Sequence, residues 1–445
     1  MRVFMLGWEF PPHISGGLGT ACYGMTKGLS DIGVEVCFVL PTAIPVSGPS
    51  HVQLRSLADA SRIVRQRVSK ALKHVEVHQV GAVLQPYGNE ASYREAMKLL
   101  EEHRLHEFLE DAGSPLHALS TPGAAKGTST IGGAGGMYHG NLMDEVHRYA
   151  RMAVEIARNE EFQVIHAHDW MTFPAGLAVA AATGRPLIVH VHSTEFDRSG
   201  QNVNQQVYDV ERAGVHGADK VVCVSYLTRS IVVSRYGVPA HRVAVVHNAV
   251  DLPEDEQFQM KPIGRDEKIV LFLGRVTMQK GPEYFLQAAR KVVDKYPKVR
   301  FIMAGSGDMI AQCIRLAADL KLGRYVTFTG FLRGGDVDRV FRMADLYVMP
   351  SVSEPFGIAP LEAISRNVPV IISKQSGVGE VLNHVLKVDF WDVEEMANKI
   401  LAVLRHAPLQ KTLRQHGAIE LRKLSWRDSA TQLNALYTEL TAAGA

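Results

Sequence analysis

The sequence predicts an α/β protein built from two Rossmann-like, doubly wound parallel sheets that face each other across a cleft. Three observations predict it. Short runs rich in Val, Ile and Phe alternate with amphipathic stretches over most of the 445 residues, as expected for strands buried on both faces and joined by crossover helices. The alternation breaks once, at Val250-Asp-Leu-Pro-Glu-Asp-Glu-Gln-Phe-Gln-Met-Lys-Pro-Ile-Gly264, an acidic segment with two prolines and no clear period. Glycine-bearing loops follow strands in both halves, at the edge where open α/β sheets bind ligands.

The apolar runs of the first half cover 2–8, 34–40, 164–168, 187–192, 220–225 and 243–247. Those of the second cover 268–274, 299–304, 325–329, 346–349 and 369–373. The break between them places an N-terminal domain at 1–252 and a C-terminal domain at 253–425, with a last helix in 426–445. Residues 50–150 are the irregular part of the first domain. There 58–74 and 92–111 read as helical, 75–84 as a strand, and the Gly-, Ala-, Ser- and Thr-rich 112–136 as a loop.

Composition narrows the class. Hydrophobic content of 46% and charged content of 21% suit a soluble protein, and the length allows two or three domains with their own cores. A net charge of +2 gives no reason to invoke nucleic acid or an anionic membrane. Cys22, Cys37, Cys223 and Cys313 are scattered without CxxC spacing, so neither a disulfide framework nor a zinc site is indicated. Met1-Arg2 leads straight into a strand too short for a signal peptide, and no apolar run has the length of a bilayer span. The chain reads as cytoplasmic.

The most informative stretch is Glu354-Pro-Phe-Gly-Ile-Ala-Pro-Leu-Glu362. It follows a strand and opens a helix at 358–365, so one acid stands on the loop and one on the helix. One acid can grip sugar hydroxyls and the other a ribose, while the backbone at Gly357 and Ile358 holds phosphate. The plainer alternative is a loop carboxylate beside an ordinary helix-face Glu.

Five other loops carry candidates. Pro11-Pro-His-Ile-Ser-Gly16-Gly17-Leu-Gly19 follows the first strand and opens a helix with Leu18, Cys22, Met25, Leu29 and Ile32 on its buried side. Gly16 and Gly17 would let an anion approach the helix start; a ligand-free tight turn is the alternative. Gly274-Arg275-Val-Thr-Met-Gln-Lys280-Gly281 sets two cations beside a helix start, a natural diphosphate clamp. His166-Ala-His168-Asp169-Trp170 and His190-Val-His192-Ser-Thr-Glu195 end two strands. They fit a sugar pocket, a set of hydrogen-bonded core imidazoles, or a metal site, the first fitting best because Asp169 and Glu195 stand close by. His247-Asn248-Ala-Val-Asp251 ends the first half and reads equally as a ligand contact at Asn248 or a hinge turn.

Two glycine loops complete the set. Gly305-Ser-Gly307-Asp308 would line a base or ribose pocket, and Ser376-Gly377-Val-Gly379-Glu380 would turn amides toward phosphates or simply start a helix. Asp336-Val-Asp338 has the Asp-x-Asp form of metal-dependent transferases, but it opens a helix and reads as a cap. The pairs His74/His78 and His103/His106 lack a third ligand and read as solvated faces, so no metal is expected.

The Glu354-to-Glu362 segment resembles the Glu-x7-Glu motif of retaining GT-B glycosyltransferases, with glycogen and starch synthases as the nearest kin (families 4 and 5). The resemblance covers most of 1–50 and 140–440. The Gly16-Gly17 loop is similar to the Lys-x-Gly-Gly-Leu loop of those enzymes, but Ile14-Ser15 stands where they carry the lysine. Asn248 and its neighbours resemble their Asn-Gly-Val-Asp segment. The resemblance implies that the last helix crosses back onto the first domain, that His192 and its carbonyl lie against the transferred sugar, and that Asp169 accepts a sugar hydroxyl. It implies transfer of glucose from ADP- or UDP-glucose to the non-reducing end of an α-1,4-glucan, with Glu354, His192, Arg275 and Lys280 at the reacting centre. Arg275, Lys280 and Glu362 would bind the nucleotide, and no separate cofactor is needed. Other acceptors (a small sugar or a lipid), a sugar-nucleotide 2-epimerase of the same fold, and a binding module with a dead site are the alternatives.

Overall fold

The computed structural model describes residues 1–10, 16–41, 75–80, 142–251 and 267–443. Most of the 50–150 insertion, the Pro11-to-Ser15 half of the first loop and nearly all of the expected linker lie outside these residues, as do His74, His103 and His106.

Two parallel sheets form. The first contains β1 (Arg2–Leu6), β2 (Glu35–Pro41), β3 (Val75–Val80), β4 (Val164–His168), β5 (Leu187–Val191), β6 (Lys220–Cys223) and β7 (Val243–Val245) in the spatial order 3-2-1-4-5-6-7. The second contains β8 (Lys268–Leu273), β9 (Val299–Ala304), β10 (Val326–Gly330), β11 (Leu346–Met349), β12 (Val370–Ser373) and β13 (Leu386–Val388) in the order 10-9-8-11-12-13. Strand order reverses between β1 and β4 in one sheet and between β8 and β11 in the other. These switch points are where an open sheet leaves a crevice at its carboxyl edge. The central strands are continuous apolar runs because helices cover both faces: β4 and β5 are buried at all five positions.

Two local differences from the sequence reading have physical reasons. β13 was not anticipated because Leu-Lys-Val is three residues long, with a lysine in the middle. The helix Leu142–Ala157 lies inside the stretch read as irregular, yet it buries Leu142, Val146, Tyr149, Ala153 and Ala157 at helical spacing. Its Tyr149 hydroxyl, 3.1 Å from the Gly7 carbonyl and 2.8 Å from that of Val39, ties the ends of β1 and β2 together. His78 lies in β3, where the strand reading of 75–84 placed it.

The helix Trp426–Ala443 lies against the first lobe. Trp426, Ala430, Leu433 and Tyr437 are buried at spacings of four, three and four. They meet the helix Gly17–Asp31 at Gly24 and Gly28. A Cβ on Gly24 would lie 2.1 Å from the Trp426 ring, and one on Gly28 would lie 2.3 Å from the Trp426 carbonyl oxygen. Only glycine allows the two helices to approach this closely.

Candidate active site

The loops after β8 and β11 build one wall of the cleft. Lys280 closes a short 3₁₀ turn, Met278–Lys280, and the next residue, Gly281, has φ +62° with its Cα against the Pro350 carbonyl. That turn aims the Lys280 ammonium at Glu354, with Nζ 2.5 Å from Oε2. The Ser351 hydroxyl donates to the same oxygen at 3.0 Å. Glu354 is itself buried, and its backbone is clamped: its N–H donates to the Gln375 carbonyl and its carbonyl accepts from Gly377 N–H, each at 2.9 Å. Gly357 has φ +99°, a conformation that favours glycine, and lets the chain turn from Glu354 into the helix Ala359–Ser365. Glu362, one turn into that helix, is half-buried, and burial raises its carboxyl above the ordinary range against the pull of Arg366. Arg275 is half-buried in the loop after β8.

The remaining glycines of this wall have packing reasons. A Cβ on Gly305 would stand 1.8 Å from the Gly274 carbonyl oxygen, and one on Gly307 would stand 2.3 Å from that of Val276. The loops after β8 and β9 therefore lie backbone to backbone, which accounts for Gly305 and Gly307 before any ribose is invoked. The amide of Gly377 is committed to Glu354 rather than held out to a phosphate, and a Cβ there would meet Ser225 of the first lobe at 2.5 Å. Asp336 and Asp338 do not cap their helix. Gly334 is the N-cap of Gly335–Met343, while Asp336 pairs with Arg339 and Asp338 with Arg342 and Arg366. The cap assigned to them from sequence is corrected to first-turn ion pairing.

The facing wall comes from the loops after β1, β4 and β5. Gly16 is the N-cap of Gly17–Asp31, and Gly17 is exposed, with none of the described residues within 4 Å of where a Cβ would lie. One amide of this helix start, Gly19 N–H, is already taken by the buried Glu9 carboxylate at 3.1 Å. Asp169 adopts φ +59° just beyond β4. Its carboxylate accepts the amides of His192 at 2.7 Å and Ser193 at 3.2 Å, so the two strand ends are locked together. Burial pushes Asp169 up to about 7, against the Arg198 guanidinium and those amides. Asn248 is buried with its side-chain oxygen unpartnered.

The four histidines divide by depth. His166, His168 and His190 are fully buried in the core, whereas His192 is half-buried at the cleft. His168 is in register with His190 across β4 and β5. Ring nitrogens of His166, His168 and His190 come within 4.8 Å of one another, the spacing of a metal-ligand set. Their arrangement is different, however. His166 and His190 face each other nitrogen to nitrogen at 3.2 Å, and His168 stacks on His166 at 4.3 Å. The His166 and His190 nitrogens are thus engaged with each other, one donating and one accepting.

Among the contacts that join the walls in the described residues are two that the sequence reading missed. The helix Glu195–Ser199 lies on the 3₁₀ turn that carries Lys280, and Ser353 donates to Asp197 at 2.5 Å. The Glu380 carboxylate accepts the Tyr226 and Leu227 amides at 2.9 and 2.8 Å and meets His247 at 2.9 Å. It thus caps the start of the first-lobe helix Tyr226–Tyr236. The available signal was a helix start after β6, capped at Thr228 by Ser225, with no acid in its own first turn. Beneath the facing wall, Arg198 pairs with Glu195 at 3.0 Å and with Glu211, which also accepts from Tyr236. This fully buried set keeps the 195–199 helix rigid.

The two-lobed fold is that of GT-B glycosyltransferases, and both halves of the chain match glycosyltransferase family models. Residues 125–254 match the model of Glycosyltransferase Family 4, and residues 253–419 that of Glycosyl transferases group 1. The chain is 26% identical over 397 residues to an uncharacterized glycosyltransferase of Methanocaldococcus jannaschii, a match covering 86% of this chain and 83% of that one. It is 23% identical to the glycogen synthase of Mycobacterium tuberculosis, over 98% and 94% of the two chains. In fold it is similar to sucrose-phosphate synthase of Thermosynechococcus elongatus, with TM-score 0.70, 19% identity and 99% of each chain covered. It is also similar to Anabaena HepE in complex with UDP-glucose, with TM-score 0.65, 17% identity and coverage of 99% and 100%. Among the described residues no helix is long and apolar enough to cross a membrane.

Proposed function

We propose that the protein is a retaining glucosyltransferase that moves glucose from ADP-glucose or UDP-glucose to the non-reducing end of an α-1,4-glucan. The observation that carries this reading is the Lys280–Glu354 ion pair at one switch point, facing the Asp169–His192 strand ends at the other. The glycogen synthase relative supports the acceptor class, and the HepE complex supports the kind of donor.

The donor's diphosphate lies against Arg275 and Lys280, with the ribose at Glu362. Its glucosyl group lies between Glu354 and His192. Before the donor arrives, Glu354 neutralises Lys280. A diphosphate carries more negative charge than one carboxylate, so it draws the ammonium away and frees Glu354 for the sugar. As the glycosidic bond breaks, charge builds on the leaving phosphate, and fixed cations stabilise that state more than the ground state. The leaving phosphate takes the acceptor's hydroxyl proton on the same face, which retains configuration. In this reading two side-chain cations supply the positive charge and no cofactor takes part.

Thermal shifts with ADP-, UDP- and GDP-glucose identify the donor by mass action. Incubating the preferred donor with and without glucan should give nucleoside diphosphate and chain extension only with glucan present. Isomerised donor sugar without any acceptor would instead establish an epimerase. Glu354→Gln should lower turnover about 100-fold while nucleotide affinity stays within about threefold. Loss of nucleotide binding would show that Glu354 holds the nucleotide rather than the sugar.

A further inference from the structure

The buried imidazoles form two hydrogen-bonded layers. In the lower layer the Tyr437 hydroxyl lies 2.6 Å from His166 Nδ1, and His166 Nε2 lies 3.2 Å from His190 Nδ1. In the upper layer His168 Nδ1 lies 2.9 Å from His192 Nε2. The layers stack at 4.3 Å, His168 on His166 and His192 on His190. His168 Nε2 and His190 Nε2 are buried and without a hydrogen-bond partner among the described residues.

These orphans decide where the protons sit. A neutral imidazole has one N–H and one lone pair. Burial holds all four histidines well below their ordinary value, so the rings are neutral near neutral pH. A buried N–H is very rarely left unpaired, while an unused acceptor is better tolerated. The orphan Nε2 atoms are therefore lone pairs, and His168 and His190 carry their protons on Nδ1. His168 then donates to His192 Nε2. His192 accepts there, so its own proton is on Nδ1, the nitrogen left for a ligand.

We infer that His168, though sealed in the core, is a positioning residue that sets the tautomer of His192 and offers its Nδ1–H as a donor to an oxygen of the transferred sugar. The role in transfer rests on the proposed function; the tautomer does not. Asp169 fixes the His192 backbone and His168 fixes its ring, so consecutive residues of one strand end lock both parts of the same group.

The test uses the full chain with 15N-labelled histidine. Long-range proton–nitrogen spectra near neutral pH, without substrate, report each tautomer, and His192→Gln identifies the His192 signals. The expected result is Nδ1–H at His192 in the wild type and in His168→Asn, whose amide N–H stands where the imidazole Nδ1–H stood. In His168→Leu the donor that fixes the ring is gone, and the His192 signals should become a mixture of the two tautomers. Turnover should fall about 100-fold in His168→Leu, with donor KM within about threefold, and His168→Asn should recover most of it. Nε2–H at His192 in the wild type overturns the inference, as does equal turnover in the two His168 variants. If the wild type transfers no sugar, the proposed function fails and the spectra still decide the tautomer.

Discussion

Replacing Lys280 with alanine should lower kcat/KM about 30- to 1,000-fold, a loss of about 2–4 kcal/mol of transition-state stabilisation. The size follows from place. Lys280 is largely buried, in a turn fixed by Gly281 against Pro350, so its charge acts where water screens it poorly. Lys280→Arg should not rescue, because a planar guanidinium does not fit the space that a compact ammonium shares with Glu354 and Ser351. The substitution should also lower stability, since it leaves the buried Glu354 carboxylate with the Ser351 hydroxyl as its partner. A double variant separates the effects: adding Glu354→Gln to Lys280→Ala should restore stability but not turnover. Steady-state kinetics beside urea melts read both. Near-normal turnover in Lys280→Ala would remove it from the diphosphate clamp.

Replacing Trp426 with alanine should cost about 3–5 kcal/mol of stability, as expected for emptying a buried indole site. The ring fills the notch left by Gly24, and the Trp426 carbonyl rests on Gly28, so no neighbouring side chain can swing in to close the void. The whole stripe Trp426, Ala430, Leu433 and Tyr437 depends on that first contact. Urea unfolding followed by fluorescence and circular dichroism measures the loss. A change under about 0.5 kcal/mol would mean that the last helix is a dispensable tail. Tyr437→Phe is the milder companion: it removes one hydroxyl from His166 and should cost about 1–2 kcal/mol.

Much of the fold was legible because it is written in local pattern. Val164–His168, Val299–Ala304 and Leu346–Met349 are strands at the bounds their apolar runs suggest, and the helix Ala359–Ser365 begins one residue after Ile358. β13 was missed because three residues carry no period, and the helix Leu142–Ala157 because it adjoins a stretch with none. At the site, residue types at strand ends pointed to Arg275, Lys280, Glu354 and Asp169. Gly305 and Gly307, read as a ligand loop, also lie against the backbone of the neighbouring loop, a contact invisible in a linear string. Asp336 and Asp338 looked like caps because nothing local shows Arg366 swinging over to meet Asp338.

The amino-acid order by itself determined two parallel sheets and the kinds of groups at their carboxyl edges. Strand, loop and helix starts follow from hydrophobic periodicity and turn residues, which act over a few positions. Tertiary structure alone decided the partners. Lys280 meets Glu354 across 74 positions, His168 meets His192 across 24, and Glu380 reaches the Tyr226 amide across 154. Such pairs exist only once crossover connections set strands side by side and the lobes abut. Charge and hydrogen bonding then act through a few ångströms of space, whatever the distance along the chain.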